Sequence, residues 1–371
     1  MLCLRTLLLF TLLALPTAAM AGNPQIELIL QDRKLEGQSL AHDKSHCVLL
    51  TCDGQIETVD LSEVKTFRKV RSSFKPWNTT KFRHQLLTEF GRGFQVEASR
   101  HYLVCGQGQD LKRYTEVLET LYRSFYLHFR TRGFDIEEPQ LTQVVILFPD
   151  YPSFAQYARK DGVAVSRQLR GYYSPRTNRI ALWQSSGSVA SLPSSTGSHA
   201  SGVFGSINSD LTSTLIHEAT HQAAFNLGLH SRTSQTPRWI VEGLATNFEI
   251  QENLKNSKRL DPFQRINRER YIHFRNYQKS RRSTNPFEAF LSSDRPFEQS
   301  MLDAYSEAWA LTFFLLEKRS RDYAKFLKRV AEHEEMSHYT AKDRLEDFRS
   351  VFGRDLQKLE RDYLSFITSL E

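Results

Sequence analysis

The sequence lacks long hydrophobic runs except near its start, which limits how the chain can meet a membrane. Residues 6–15 are apolar but too few to cross a bilayer, and no later stretch is apolar enough. Arg5 precedes this run, and Ala19-Met20-Ala21 follows it with the small residues of a cleavage site. The pattern predicts a signal peptide over residues 1–21 and export to a periplasm or the outside. An uncleaved anchor is the alternative, and Cys3 lies too early for a lipoprotein.

Cysteine is also scarce, with four in the whole chain. Removal of the signal peptide would leave Cys47, Cys52 and Cys105, so at least one thiol would lie outside any pair within the chain. Cys47 and Cys52 flank one predicted strand and would lie about 16 Å apart, too far for a disulfide. Either could still pair with Cys105. We favour small buried apolar thiols.

Concentrated charge of one sign is absent. The formal net charge is +7 and the sequence pI is near 9.1, but the basic residues are spread out, and the densest cluster is only residues 279–282. No nucleic-acid motif is present. We therefore expect no nucleic-acid partner, and we interpret the excess charge as a solvated surface with a general attraction to anionic groups.

Two domains are expected after the signal peptide. Residues 22–76 contain short strands separated by turn signals such as Asp53-Gly54. They predict a small all-β, barrel-like or SH3-like module, a fold that carries no function by itself. The strands are predicted at residues 26–30, 35–41, 47–51 and 55–61, and a linker follows near residues 74–78.

The second domain, residues 77–371, is predicted to be α+β. A mixed sheet comes first, and a mostly helical half follows it to the end of the chain. The expected elements are helices at residues 81–90, 111–130 and 153–160, strands at residues 94–104 and 141–148, and a hairpin at residues 169–183.

The stretch His217-Glu218-Ala219-Thr220-His221 carries the strongest chemical signal. Positions i and i+4 share one face of a helix, so two imidazoles can bind one metal ion. Glu218 can then act as a general base toward a water, as in the H-E-x-x-H motif of zinc peptidases. Asp210 is a plausible helix N-cap, and Gly228 is a natural C-terminal stop.

A third metal ligand must come from elsewhere. The metzincin pattern would need Gly at 224 and His at 227, where this chain has Ala224 and Leu227. A glutamate from the next helix is the other solution. That helix is predicted to begin with Thr236 as cap and Pro237 at the first position. It offers Glu242 and, seven residues later, Glu249, whereas we interpret His230 as a loop histidine.

H-E-x-x-H followed by Trp239-x-x-Glu242-Gly243-x-Ala245 resembles the gluzincins, the thermolysin-like and aminopeptidase-like zinc peptidases. The resemblance assigns one zinc ion to His217, His221 and Glu242, and the general base to Glu218. It implies a zincin-like fold with the active site in a cleft between the two halves. The chain is also similar, over roughly residues 80–315, to secreted proteins catalogued as a domain of unknown function. The G-x-M-E-N signature of the aminopeptidases is absent.

Two further expectations follow from this resemblance, and one follows from the composition of residues 185–209. Residues 179–183 are predicted to be an edge strand that holds extended substrate. Residues 185–209, rich in Ser and Gly, form either a flap or a disordered segment. Tyr305 is predicted to stabilise the oxyanion, with Tyr172 and Tyr173 as rivals.

The sequence thus predicts an exported zinc metallopeptidase that acts on a peptide or protein substrate. The alternative is a catalytically silent envelope binding or scaffold protein with a zincin fold. An intact Glu218 argues against that alternative, because a structural zinc site needs no base. The substrate and the partner of the β-module are not predicted.

Overall fold

The computed structural model describes residues 24–108, 110–136, 138–184, 209–249, 262–282, 286–333 and 337–370. These residues form a mixed α+β structure with two sheets and 12 α-helices. The predicted signal peptide and residues 185–208 lie outside this description. The chain divides into two compact units, one ending at Lys75 and the other formed mainly from Pro76 onward, with residues 53–56 assigned to the second.

The first sheet contains five strands in the order β4-β3-β2-β1-β5. Its apolar core cluster is small and contains Ile26, Leu28, Leu30, Leu49 and Val59. The strands are β1 Gln25–Ile29, β2 Lys34–His42, β3 His46–Thr51, β4 Ile56–Asp60 and β5 Thr66–Arg71.

This sheet corrects the prediction of a barrel-like module, because the described strands form no closed barrel. Strand β5, which the sequence did not predict, is exposed along its whole length and contributes no buried row. A barrel needs every strand to supply inward-facing residues. The four strands β1 to β4 were predicted correctly, but β5, which forms one edge of the sheet, was not predicted.

The three cysteines of the described chain are buried, as predicted. Cys47, Cys52 and Cys105 form no disulfide with one another. Burial raises the pKa of the Cys105 thiol to about 12, so this thiol stays protonated at neutral pH.

In the part of the chain that the structure describes, no helix is both long and apolar enough to cross a membrane.

The second sheet has the order β6-β7-β8-β10-β9. Strands β7, β8 and β10 are parallel to one another, while β6 and β9 run antiparallel at the two ends. The strands are β6 Phe94–Ala98, β7 Tyr102–Gln107, β8 Gln143–Phe148, β9 Gly171–Ser174 and β10 Arg179–Trp183.

In the described part of the chain, twelve helices accompany this sheet, and most of them follow it in sequence. They are α1 Thr79–Phe90, α2 Leu111–Arg130, α3 Tyr151–Lys160, α4 Ser209–Asn226, α5 Arg238–Phe248, α6 Arg268–Ser280, α7 Pro286–Ser292, α8 Arg295–Gln299, α9 Met301–Lys318, α10 Ser320–Ala331, α11 Ala341–Phe352 and α12 Leu356–Thr368.

Two strand predictions were wrong. The single strand expected at residues 94–104 is a hairpin, β6 and β7, because the chain turns at residues 99–101. Strand β10 was expected at the edge, but it lies between β8 and β9. Strand β9 is the edge strand. Sheet order depends on contacts between distant segments, which local sequence does not encode.

Both motif helices begin differently from the prediction. Asp210 lies inside α4, which starts at Ser209. Pro237 occupies the N-cap of α5, and its own side chain makes no capping hydrogen bond. Both differences lie before the motif residues, which keep their expected helical spacing.

Gly243 determines how closely α5 approaches a neighbouring helix. A Cβ atom at this position would lie 2.2 Å from Thr312 Oγ1 and 2.8 Å from the backbone oxygen of Ala308, both on α9. The close approach at Gly243 is therefore between α5 and α9. This packing places Tyr305, on α9, beside Glu242 on α5.

Candidate metal centre

Helix α4 presents the two motif histidines from a buried scaffold. One row of its apolar side chains recurs at helical spacing and is buried: Leu211, Leu215, Ile216, Ala219 and Ala223. Gly228, just past the helix, has a φ of 76°, which suits a glycine terminator. The imidazole rings of His217 and His221 lie with centroids 4.7 Å apart.

Three potential ligand atoms converge between α4 and α5. Nε2 of His217 and Nε2 of His221 are 3.1 Å apart, and Oε2 of Glu242 lies 3.4 Å from the first and 3.6 Å from the second. A tetrahedral zinc ion with bonds of about 2.0–2.1 Å needs ligand atoms about 3.3–3.4 Å apart. The observed spacing therefore fits one metal ion held by the predicted residues.

The electrostatics of this triad also favour a cation. Oε2 of Glu242 is buried and has no hydrogen-bond partner among the described residues. Burial opposes ionisation of Glu242, but the two nearby imidazoles outweigh it and hold the pKa of this carboxyl well below its usual range. Burial likewise opposes protonation of His217, yet Glu242 and Glu249 raise its pKa well above the usual range. A buried anion beside two imidazoles is a suitable donor set for zinc.

Glu249 binds behind the ligand set rather than within it. Its Oε1 lies 2.7 Å from Nδ1 of His217, so an Nδ1–H can donate to the carboxylate while Nε2 faces the triad. Asn267, the N-cap of α6, donates to the other oxygen of Glu249 at 3.0 Å. Such carboxylate–histidine pairs fix the tautomer and orientation of metal-binding imidazoles. The sequence offered Glu249 only as a rival ligand and did not identify Asn267.

Glu218 is held by the edge strand. The backbone N–H of Tyr173, on β9, donates to Oε2 of Glu218 at 2.8 Å. This bond fixes one carboxylate oxygen. It also shows that the outer edge of β9 faces the H-E-x-x-H helix. The sequence predicted the role of Glu218 but had no signal for this backbone contact.

The three tyrosines proposed for the oxyanion lie in different places. Tyr305 is half-buried, and burial together with the adjacent Glu242 carboxylate raises its pKa. Tyr173 donates its hydroxyl to Asn178 at 2.9 Å, away from the triad. Tyr172 is buried in a separate apolar cluster, where burial and Asp161 raise its pKa. Only Tyr305 is brought to the triad.

His230 lies in the loop after α4, as predicted, but it is buried. Its side chain is 1% exposed, and burial lowers its pKa to about 3, so it is neutral at physiological pH. It is not part of the convergent triad.

Comparison with known proteins covers only part of the chain. A family model described as a protein of unknown function (DUF1570) matches residues 211–337. No curated protein matches the chain. The matched segment contains His217, Glu218, His221, Glu242, Glu249 and Tyr305, so this similarity covers the residues of the candidate centre without assigning them an activity.

Proposed function

We propose that this protein is a zinc-dependent metallopeptidase of the gluzincin type, with a zincin-like catalytic half. The observation that carries the proposal is the convergence of His217, His221 and Glu242 at tetrahedral spacing. One zinc ion per chain would bind there. When bound, zinc would act as a Lewis acid and lower the pKa of a water.

Glu218 would be the general base. It would take a proton from the attacking water as the water oxygen bonds to the peptide carbonyl carbon. As the C–N bond breaks, the same carboxyl would pass that proton to the leaving amine. The backbone N–H of Tyr173 restrains Oε2 of Glu218, which leaves Oε1 to carry the proton.

Tyr305 and β9 would complete the reaction site. Tyr305 lies beside Glu242, where its hydroxyl can donate a hydrogen bond to the developing oxyanion. The outer edge of β9, rather than β10 as first expected, would pair with an extended peptide through its backbone groups other than the Tyr173 N–H, which Glu218 occupies. That edge faces Glu218, so a bound peptide would pass the general base.

The proposed site of action is outside the cytoplasm, because residues 1–21 have the pattern of a signal peptide. The proposal is tested with the purified protein by elemental analysis and by hydrolysis of a peptide library, each with and without a chelator. We expect about one zinc per chain and cleavage that the chelator abolishes and zinc restores. Cleavage that is indifferent to chelation would contradict the proposal.

A further inference from the structure

Two arginines surround the candidate oxyanion donor. The guanidinium carbon of Arg238, on α5, lies 6.0 Å from the centre of the Tyr305 ring, and that of Arg270, on α6, lies 5.4 Å from it. Arg238 also lies 4.8 Å from the centre of the Phe297 ring. Arg238 also makes a side-chain hydrogen bond to Tyr305. Arginine has five N–H donors, and contact with an aromatic face uses none of them, so both guanidinium groups keep donors for a further partner.

Among the described residues, the carboxylates paired with these arginines are bound mainly to other groups. Arg238 Nε is 3.7 Å from Glu242 Oε1, and Arg270 Nη2 is 3.9 Å from Glu249 Oε1, both longer than a hydrogen bond. Glu242 is directed at the two motif histidines, and Glu249 is hydrogen-bonded to His217.

Asp294 does not neutralise Arg238 either. Its Oδ1 accepts from the backbone N–H of Arg238 at 3.0 Å, while its carboxylate binds the guanidinium of Arg344 at 3.0 and 3.2 Å. The side chains of Arg238 and Arg270 are 38% and 20% exposed, so solvent reaches both. With a divalent cation in the triad, positive charges would outnumber the carboxylates of Glu218, Glu242 and Glu249.

We propose that Arg238 and Arg270 form an anion-recognition site beside the metal triad, which selects peptides with a carboxylate close to the bond to be cleaved. The planar fork of arginine matches a carboxylate and can bind it through two N–H donors. The carboxylate has two sources in peptides: the free C-terminus, or the side chain of Asp or Glu. The reference to a cleaved bond rests on the proposed peptidase function, whereas recognition of the carboxylate does not.

The test measures binding without turnover. The full-length chain carrying Glu218→Gln, loaded with zinc, is titrated calorimetrically with four versions of one short peptide that has no other acidic group. The peptide ends in either a free carboxylate or an amide, and it contains either Glu or Gln near its centre. We expect removal of the recognised carboxylate to weaken binding roughly 10- to 100-fold. A difference between the free-acid and amide peptides identifies the C-terminus as the recognised carboxylate, and a difference between the Glu and Gln peptides identifies the side chain.

Substitutions then locate the recognition. Arg238→Gln and Arg270→Gln, each added to the Glu218→Gln chain, should abolish most of the preference for the carboxylate. Arg238→Lys keeps the positive charge but lacks the planar guanidinium, so this variant should keep only part of the preference for the carboxylate. Arg349→Gln is the matched control, because Arg349 pairs with Glu288 and has no contact with the triad. Zinc content and melting temperature are measured for each variant to show that the site is intact.

Three outcomes would overturn the proposal. They are equal binding of the charged and amidated peptides, no binding of any of them at millimolar concentration, and a preference lost equally in Arg349→Gln. Failure of the peptidase proposal is seen separately, as absence of cleavage by the unmodified protein. If the protein prefers peptides with a carboxylate but cleaves none of them, the anion-recognition proposal stands and the peptidase proposal fails.

Discussion

Nδ1 of His217 lies 2.7 Å from Oε1 of Glu249, seven residues after the third candidate ligand. The sequence offered Glu249 as an alternative to Glu242 for the third metal ligand. In the structure, Glu249 instead orients the imidazole of His217. Because Asn267 donates to the same carboxylate, α4, α5 and the start of α6 are joined behind the triad.

The first prediction concerns this support. Glu249→Gln should keep the fold but weaken zinc binding about 10- to 100-fold, as loss of such an outer carboxylate typically does. Zinc affinity is measured by competition with a chromophoric chelator. Glu269→Gln, an exposed glutamate in the first turn of α6, is the control. Unchanged affinity in Glu249→Gln would remove Glu249 from the metal centre.

The second prediction concerns Tyr305. If its hydroxyl stabilises the oxyanion, Tyr305→Phe should lower kcat on the order of 10²-fold, with KM and zinc content little changed. Tyr126→Phe, which removes a surface hydroxyl bonded to Arg130, should have normal turnover. A lower melting temperature with normal kcat in Tyr305→Phe would indicate a packing role instead.

The third prediction links the metal to stability. A ligand that binds only the folded state stabilises it by mass action, about 4 kcal/mol at a thousandfold excess over Kd. The zinc-loaded protein should melt at a higher temperature than the chelated protein. This difference should disappear in His221→Ala. Identical melting curves for the loaded and chelated wild type would mean that His217, His221 and Glu242 do not form a tight metal site.

The fourth prediction concerns pH and the first sheet. Glu27 is 2% exposed and bonds Arg68 and Lys34, and these partners lower its pKa from 4.5 to about 2. A lowered pKa in the folded state stabilises the protein above the unfolded pKa, and this contribution is lost as pH falls. Glu27→Gln should therefore lower the urea midpoint at pH 7. The gap from wild type should shrink as pH falls from 4.5 toward 2, and a gap independent of pH would contradict this account.

Local periodicity predicted the helices better than it predicted the sheets. Helix α2 has the predicted bounds, since its apolar residues repeat at helical spacing over 20 residues. Strand β5, with the sequence Thr-Phe-Arg-Lys-Val-Arg, has only two strongly apolar side chains and gives little signal. The exchange of β9 for β10 at the sheet edge reflects pairing between distant segments, which periodicity does not report.

The candidate centre was predictable where spacing within one helix determines geometry. His217 and His221 follow from the i, i+4 relation, and Glu242 follows from the second motif. The backbone bond from Tyr173 to Glu218 and the side-chain bond from Asn267 to Glu249 join residues 45 and 18 positions apart. Arg238 and Arg270 meet at Tyr305 only because α5, α6 and α9 pack together. Such contacts require the folded chain.

The most direct test of the proposed function compares wild type with Glu218→Gln in a proteome-derived peptide cleavage profile, with zinc content measured for both. Glutamine keeps the shape of the side chain and can still accept from Tyr173, but it cannot act as a base. The account predicts about one zinc per chain in both proteins, defined cleavage sites for wild type, and a loss of cleavage by orders of magnitude in the variant. Equal cleavage by a fully metal-loaded Glu218→Gln, or no cleavage by zinc-loaded wild type, would contradict it, and the second result would favour the binding or scaffold alternative.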